Sequence, residues 1–323
     1  MRAFITGVDG FAGSHLADHL LDKADIEVWG CGLTPTLPEY VSPAVRYSQL
    51  DLREPEPTTA LLTEAQPNQI FHLAGQAFVP ASWQAPWATF EANVLATLNV
   101  LETVRLQELS TRILIVSSVE VYGSVAAQDL PVAEGHSFRA NSPYSVSKVA
   151  QDLLGLSYAV SHGIETVRAR PLNHIGPRQN NRFVAAAFAK QIARIEAGQQ
   201  APTLSVGDLT TQRDFTDVRD IVRAYSLLME RGEAGGAYNI ASGILRSIEE
   251  LLDALLNLAT VPISVEADPD LKRTADTPPL TVNMNKLQRA TNWRPEIPFE
   301  QTLLDLLNYE RERVQLSEQE AAL

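Results

Sequence analysis

Short apolar runs alternate along the first half of the chain with longer stretches whose apolar positions recur three and four apart. Residues 2–6 form a short apolar run that reads as the first strand, 26–31, 46–50, 69–73 and 112–117 read as buried strands, and 166–170 reads as the next strand. The intervening spacing predicts helices from about 11 to 21, around 57–65, over 88–109, and from 143 to about 163. Repetition of strand and helix in this order predicts an α/β fold with a doubly wound parallel sheet. Ligands on such sheets sit beyond the carboxyl ends of the strands. After residue 171 the alternation breaks down. Residues 172–181 read as loop, 183–198 as helix, 203–206 as strand, 217–231 as helix and 237–240 as strand. Helices follow at 248–259, 284–291 and 299–314, with proline-containing loops at 262–269 and 277–279, and there is no internal repeat or low-complexity linker.

Composition narrows the class without changing this outline. The chain has 323 residues, 45% hydrophobic and 20% charged, enough to bury a sizeable core. A net charge of -13 argues against nucleic acid or an anionic membrane as partner, because both reward a concentrated positive field. An anionic substrate would need local arginines. The single cysteine, Cys31, excludes an internal disulfide framework and a cysteine-built zinc site, and no metal site is expected. The first residues run straight into a strand without a signal-peptide core, and no apolar run reaches the length of a membrane span, so a cytoplasmic protein is expected.

Chemistry-bearing residues fall at the strand ends. The first strand leads into Thr6-Gly7-Val8-Asp9-Gly10-Phe11-Ala12-Gly13 and then a helix. Gly7, Gly10 and Gly13, with Phe11 among them, suit a tight turn and the close approach of backbone to a pyrophosphate. The division expected is a Rossmann-type dinucleotide-binding domain over 1–171, to which strands and a helix from about 207–242 return, and a smaller C-terminal α/β substrate domain over 172–206 and 243–323. Asp51-Leu52, after the third strand, offers a carboxylate to an adenine amino group or is simply a turn aspartate. The end of the second strand, Val28-Trp29-Gly30-Cys31-Gly32-Leu33-Thr34, has neither a carboxylate for a ribose 2′-hydroxyl nor an arginine for a 2′-phosphate. The cofactor is therefore NADP or NAD, with a lean to NADP. Leu73, Ala74 and Gly75 close the fourth strand with room for a nicotinamide ribose, and His72 reads as a satisfied buried histidine.

Ser117, Ser118 and Glu120 bring hydroxyls and a carboxylate to the end of the fifth strand. Ser142 and Pro143 then open a helix that places Tyr144 and Lys148, four apart, on one face. A neighbouring cation favours a phenolate, so the pair is suited to proton exchange near neutral pH. Ser118 can hydrogen-bond a substrate oxygen while Tyr144 moves its proton and Lys148 holds the phenolate and the cofactor ribose.

Residues 6–13 and 117–123 and the Tyr144–Lys148 pair resemble the extended short-chain dehydrogenase/reductases of the NAD-dependent epimerase/dehydratase family. Segments 75–83, 170–179 and 206–220 are similar to those of its GDP-6-deoxy-D-mannose reductases. The resemblance implies reduction of the C4 ketone of GDP-4-dehydro-6-deoxy-D-mannose to GDP-D-rhamnose with NAD(P)H, Tyr144 supplying the proton. It also implies cofactor contacts at Pro171 and His174, and substrate contacts at Ser82 and Asn173. Arg213 and Arg273 match the family's diphosphate-binding arginines, planar forks that an acidic protein needs there. Glu120 occupies the place of the carboxylate with which related GDP-mannose 4,6-dehydratases remove a C5 proton. His174 and Arg178 also resemble the dehydratase loop, so dehydration is the alternative. A non-catalytic dinucleotide-binding scaffold is a further one. The helices over 88–109 and 143–162 carry apolar residues on more than one face, which suits the homodimer that the family generally forms and equally suits burial within one chain.

Overall fold

The computed structural model describes residues 1–268 and 279–321. Its first half is β1 (Arg2–Thr6), α1 (Phe11–Leu21), β2 (Glu27–Gly32), β3 (Arg46–Gln49), α2 (Pro55–Ala65), β4 (Gln69–His72), α3 (Val79–Gln84), α4 (Pro86–Phe90), α5 (Ala96–Leu106), β5 (Arg112–Val116), α6 (Pro143–His162) and β6 (Thr166–Pro171). The second half continues with β7 (Asn173–Ile175), α7 (Val184–Glu196), β8 (Thr203–Val206), β9 (Gln212–Asp217), α8 (Val218–Arg231), β10 (Ala237–Ile240), β11 (Leu245–Ser247), α9 (Ile248–Leu256), β12 (Ser264–Ala267), α10 (Asn285–Thr291) and α11 (Phe299–Ala321).

Among the described residues the main sheet has seven strands in the order β10-β6-β5-β4-β1-β2-β3, all parallel. The chain winds one way from β1 to β3 and the other way from β4 onward. The crevice at this reversal therefore opens beyond the carboxyl ends of β1 and β4. Ile5, Ile70, Phe71, Ile113, Leu114 and Ile115 have no exposed surface, which is why these strands read as unbroken apolar runs.

The chain divides into two compact units: residues 1–172, 221–240 and 282–294, and residues 173–220, 241–281 and 295–323. Of the stretch 207–242 expected to return to the first unit, only 221–240 does so. The reason lies in β9, which pairs with β7 and antiparallel with β11 rather than with the main sheet. The second unit has its own apolar core, in which Phe188 and Ile192 of α7, Leu251 and Leu255 of α9, and Leu303 and Leu307 of α11 meet.

Three other expectations change. The strand expected to be buried over 46–50 is β3, which lies at the sheet edge with Arg46 and Gln49 exposed. The helix expected over 88–109 is α4 and α5 joined by a π turn, Glu91–Leu95. The expected loops 172–181 and 262–269 contain β7 and β12, strands too short to show a periodicity.

α6 is fixed to the sheet more firmly than its spacing suggests. Ser142 accepts the Ser145 N–H at 3.0 Å while the Ser145 hydroxyl accepts the Ser142 N–H at 2.9 Å, so the helix start is closed reciprocally. Further along, the fully buried Asp152 accepts from Arg168 at 2.5 Å and from Arg170 at 2.7 and 2.8 Å, both on β6. Gly155 packs against β5 and β6, and an added Cβ there would come within 2.8 Å of Ile115 Cδ1 and 3.2 Å of Arg168 Cγ.

Candidate active site

The glycine turn after β1 is shaped by contacts that exclude side chains. Gly7 adopts φ +70°, a conformation costly for any other residue, and an added Cβ would press on the Ala74 backbone at 3.0 Å. At Gly13 a Cβ would lie 2.0 Å from the Gly7 carbonyl oxygen, so α1 can start this close to β1 only with glycine. α1 has Gly10 as its N-cap, no side-chain cap and no acidic residue in its first turn. Its positive dipole end is thus not neutralised from within, and these residues fit the diphosphate of a dinucleotide.

β4 is tied to this turn by Thr6, whose hydroxyl accepts the N–H groups of Leu73 and Ala74 at 3.1 and 3.0 Å. The same hydroxyl lies 3.0 Å from His72 Nδ1, and His72 Nε2 lies 2.9 Å from Thr97 Oγ1. Burial pushes the imidazole down to about 3, so His72 is a neutral structural link, as its setting in the sequence suggests. Gly75 lets the Asn93 amide approach the backbone, since an added Cβ would stand 2.7 Å from Asn93 Oδ1.

Tyr144, Lys148 and Ser118 converge at the end of β5, and all three are less than a tenth exposed. Ser117, also buried, donates to the Lys148 carbonyl at 3.1 Å and holds α6 to this strand end. Ser118 caps a short 3-10 turn over Val119–Tyr122, accepting the Glu120 N–H at 3.2 Å, and Glu120 is itself exposed. The Lys148 ammonium donates to the Val116 carbonyl at 2.9 Å and lies 5.9 Å from the centre of the Tyr144 ring.

The electrostatics differ from the expected cation-stabilised phenolate. Burial raises the Tyr144 phenol above its ordinary range, the Ser118 hydrogen bond opposes that, and the Glu120 charge adds to it. Burial also brings Lys148 down to about 8. A phenol removed from water at this strand end holds its proton through the neutral range and is set up to donate it.

The remaining predicted residues are placed as follows. Asp51 accepts the Arg53 N–H at 3.0 Å and is forked by its guanidinium, which lowers the carboxyl. Leu52 is buried, and its carbonyl accepts from Asn99 at 2.8 Å. Ser82 is buried and donates to the Val79 carbonyl at 2.6 Å. Pro171 ends β6 in register with Ile240.

In the second unit Asn173 is exposed and donates weakly to the Asp214 carbonyl at 3.4 Å. The carbonyl of His174, its neighbour on β7, accepts from Gln179 at 2.8 Å. Arg213, half-buried on β9, donates to the Gln212 carbonyl. Arg273 lies outside the described residues.

Two residues with a part in this arrangement carried no sequence signal. Asn93, in the π turn, accepts the Gln76 N–H at 2.7 Å and donates to the Gln76 carbonyl and to Ser147 Oγ at 3.1 and 2.8 Å. It thereby fixes the segment after β4 against α6 beside Lys148, and π turns of this kind gather at functional sites. Arg246, on β11, stands directly opposite Arg213. The Arg246 guanidinium lies over the Phe299 ring, 4.3 Å from the centroid, and 3.9 Å from the Glu300 carboxylate. Among the described residues no group of three or more His, Cys, Asp or Glu side chains could hold a metal ion, and no helix is long and apolar enough to cross a membrane.

Comparison with known proteins adds specificity. The family model described as GDP-mannose 4,6 dehydratase matches residues 4–306. A GDP-6-deoxy-D-mannose reductase from Pseudomonas aeruginosa is 38% identical over 313 residues, covering 97% of this chain and 98% of that one. A GDP-mannose 4,6-dehydratase from Vibrio cholerae serotype O1 is 26% identical over 358 residues, covering 97% and 94%. Among solved structures, RMD from Pseudomonas aeruginosa complexed with NADPH matches with a TM-score of 0.84 and 37% identity over 97% of this chain and 99% of that one. A Thermus thermophilus UDP-glucose 4-epimerase in complex with NAD matches at 0.84 and 30% over 96% and 99%.

Proposed function

We propose that this chain, which belongs to the GDP-mannose 4,6 dehydratase family, is an NAD(P)H-dependent reductase that converts GDP-4-dehydro-6-deoxy-D-mannose to GDP-D-rhamnose. The observation that carries this reading is the buried Tyr144 beside Ser118 and Lys148, whose phenol is raised above its ordinary range by burial. A reduction must deliver a proton to the alkoxide oxygen that develops at C4, and a phenol held neutral is the group for that step. With the dinucleotide's diphosphate on the glycine turn, the reduced nicotinamide would supply the hydride to C4. Ser118 orients the carbonyl oxygen by hydrogen bond, Tyr144 gives up its proton to that oxygen, and the Lys148 cation stabilises the phenolate left behind. Asp51, Leu52, Leu73, Ala74, Gly75, Pro171 and His174 would complete the dinucleotide site. Ser82, Asn173, Arg213 and Arg273 would hold the sugar nucleotide, with Arg246 a further cation for its diphosphate.

The Lys148 ammonium is lost as pH rises through about 8. Dinucleotide affinity and kcat/KM are therefore expected to fall above that pH, and Lys148→Met should be weak at every pH and lack the fall. Titration of binding and rate from pH 6 to 10 checks this.

Dehydration remains a second reading because Glu120 sits in the turn that carries Ser118 and its charge acts on Tyr144. Incubation with GDP-mannose tests it against incubation with the 4-keto-6-deoxy sugar nucleotide plus NAD(P)H. The expected result is consumption of reduced cofactor in the second mixture and no 4-keto product in the first. A 4-keto product from GDP-mannose that disappears in Glu120→Gln would make dehydration the activity.

A homodimer in the cytoplasm fits the same reading. Val146, Leu153 and Val160, seven apart on α6, are 43, 47 and 78% exposed, and Trp87 on α4 is 83% exposed. An apolar stripe of this kind on a helix suits a partner helix, and the buried Cys31 suits a reducing compartment. Sedimentation should give a dimer, and Leu153→Glu with Val160→Glu should give a folded monomer.

A further inference from the structure

The end of β2 is where a dinucleotide-binding fold places the acidic residue that accepts the adenosine ribose 2′-hydroxyl, and here that position is Gly32. The carboxylate is nevertheless present, because Asp9 supplies it from the glycine turn. A Cβ on Gly32 would fall 2.1 Å from the Asp9 carboxyl carbon, so the missing side chain leaves the space that the Asp9 carboxylate fills.

The group is held in place from several sides. Asp9 Oδ2 accepts the N–H groups of Leu33 and Thr34 at 2.9 and 3.1 Å and the Thr34 hydroxyl at 3.1 Å. Tyr40 donates to the Asp9 carbonyl and Tyr47 to the Thr34 carbonyl, both at 2.6 Å. All three side-chain bonds from described residues fall on Oδ2, which leaves Oδ1 to accept from a hydroxyl.

The segment after β2 lacks the cation that a 2′-phosphate would require. Residues 33–40, Leu-Thr-Pro-Thr-Leu-Pro-Glu-Tyr, contain no lysine or arginine. Arg46, at the amino end of β3, is paired with Glu27 at 2.9 Å, and Arg53 is forked on Asp51.

We infer that Asp9 is the specificity-determining residue for the dinucleotide: its carboxylate accepts the ribose 2′-hydroxyl and repels a 2′-phosphate, so the chain prefers NADH to NADPH. The inference rests on the reductase reading and reverses the lean toward NADP drawn from the bare strand end. It explains how a chain without an acidic residue at the carboxyl end of β2 selects against the phosphate.

The test is equilibrium binding of NADH and of NADPH, followed by nicotinamide fluorescence without sugar substrate, for the wild-type chain and Asp9→Asn. Asparagine keeps an oxygen for the Leu33 and Thr34 N–H groups and removes the charge. The wild type is expected to bind NADH at least about tenfold more tightly than NADPH, and Asp9→Asn to reduce that ratio by about tenfold or more, the usual effect of a hydrogen bond to a charged group. A wild-type preference for NADPH, or an unchanged ratio in a folded Asp9→Asn, overturns the inference and leaves the reductase reading intact. Failure of the wild type to bind either dinucleotide overturns the reading beneath it.

If circular dichroism shows Asp9→Asn unfolded, Leu33→Arg decides, since Leu33 is 66% exposed and tolerates a larger polar side chain. A guanidinium there should shift the ratio toward NADPH, and an unshifted ratio overturns the inference.

Discussion

Tyr144→Phe is expected to lower turnover of the 4-keto sugar nucleotide by about two to four orders of magnitude, the usual size of a positioned acid's contribution. The ring is buried at the end of β5, so phenylalanine fills the same volume and the helix that carries it keeps its capping box and its Asp152 anchor. What is lost is one proton donor and the hydroxyl that Ser118 bonds. Solvent is a poor substitute because the site is nearly closed to it. Dinucleotide binding should persist, because the glycine turn and Lys148 are untouched. Steady-state kinetics together with a binding titration separates these effects. Unaltered turnover in the variant would contradict the assignment of Tyr144 as the acid.

Asp152→Ala is expected to destabilise the protein by about 3–5 kcal/mol, the cost of leaving buried charge without its counter-ion. Asp152 is fully buried and takes hydrogen bonds from two guanidiniums that are themselves 7% and 2% exposed. Arg170 has other partners, the Tyr122 hydroxyl at 2.8 Å and the Glu134 carbonyl at 2.9 Å, and it lies over the Phe138 ring. Those contacts hold the guanidinium in place and do not neutralise it. Asp152→Asn should fall between wild type and alanine, since it keeps acceptor and shape but not charge. Denaturant unfolding measures the series. A loss below about 1 kcal/mol in the alanine variant, the size of a surface pair, would mean that α6 is not anchored through this triad.

The parts of this architecture that are legible in the sequence share a physical cause. Strands β1, β4 and β5 are largely buried on both faces, so each appears as an apolar run, whereas β6 buries Arg168 and Arg170 against Asp152. The start of α6 is marked by Ser142 and Pro143, which are local signals. Spacing alone puts Tyr144 and Lys148 on one face of that helix.

Burial is not local, and the electrostatic expectation failed for that reason. Proximity to a cation suggested a lowered phenol, whereas desolvation raises it. β7 and β11 are three residues long and β9 pairs only across sequence-distant segments, so the second unit's sheet had no pattern to read. The π turn that aims Asn93 leaves no compositional trace. The place of the Asp9 carboxylate beside Gly32 leaves no mark along the chain, because it arrives there through space from the preceding turn.

The central claim is that this chain adds a hydrogen pair to a sugar ketone. The most direct measurement mixes it with GDP-4-dehydro-6-deoxy-D-mannose and NAD(P)H labelled with deuterium at the transferable position of the nicotinamide, and locates the label in the product. The account predicts a 6-deoxy-hexose nucleotide carrying deuterium at C4, formed in equal amount to the cofactor oxidised. A ketone recovered without label, with the same protein converting GDP-mannose to that ketone and no net oxidation of cofactor, would contradict it.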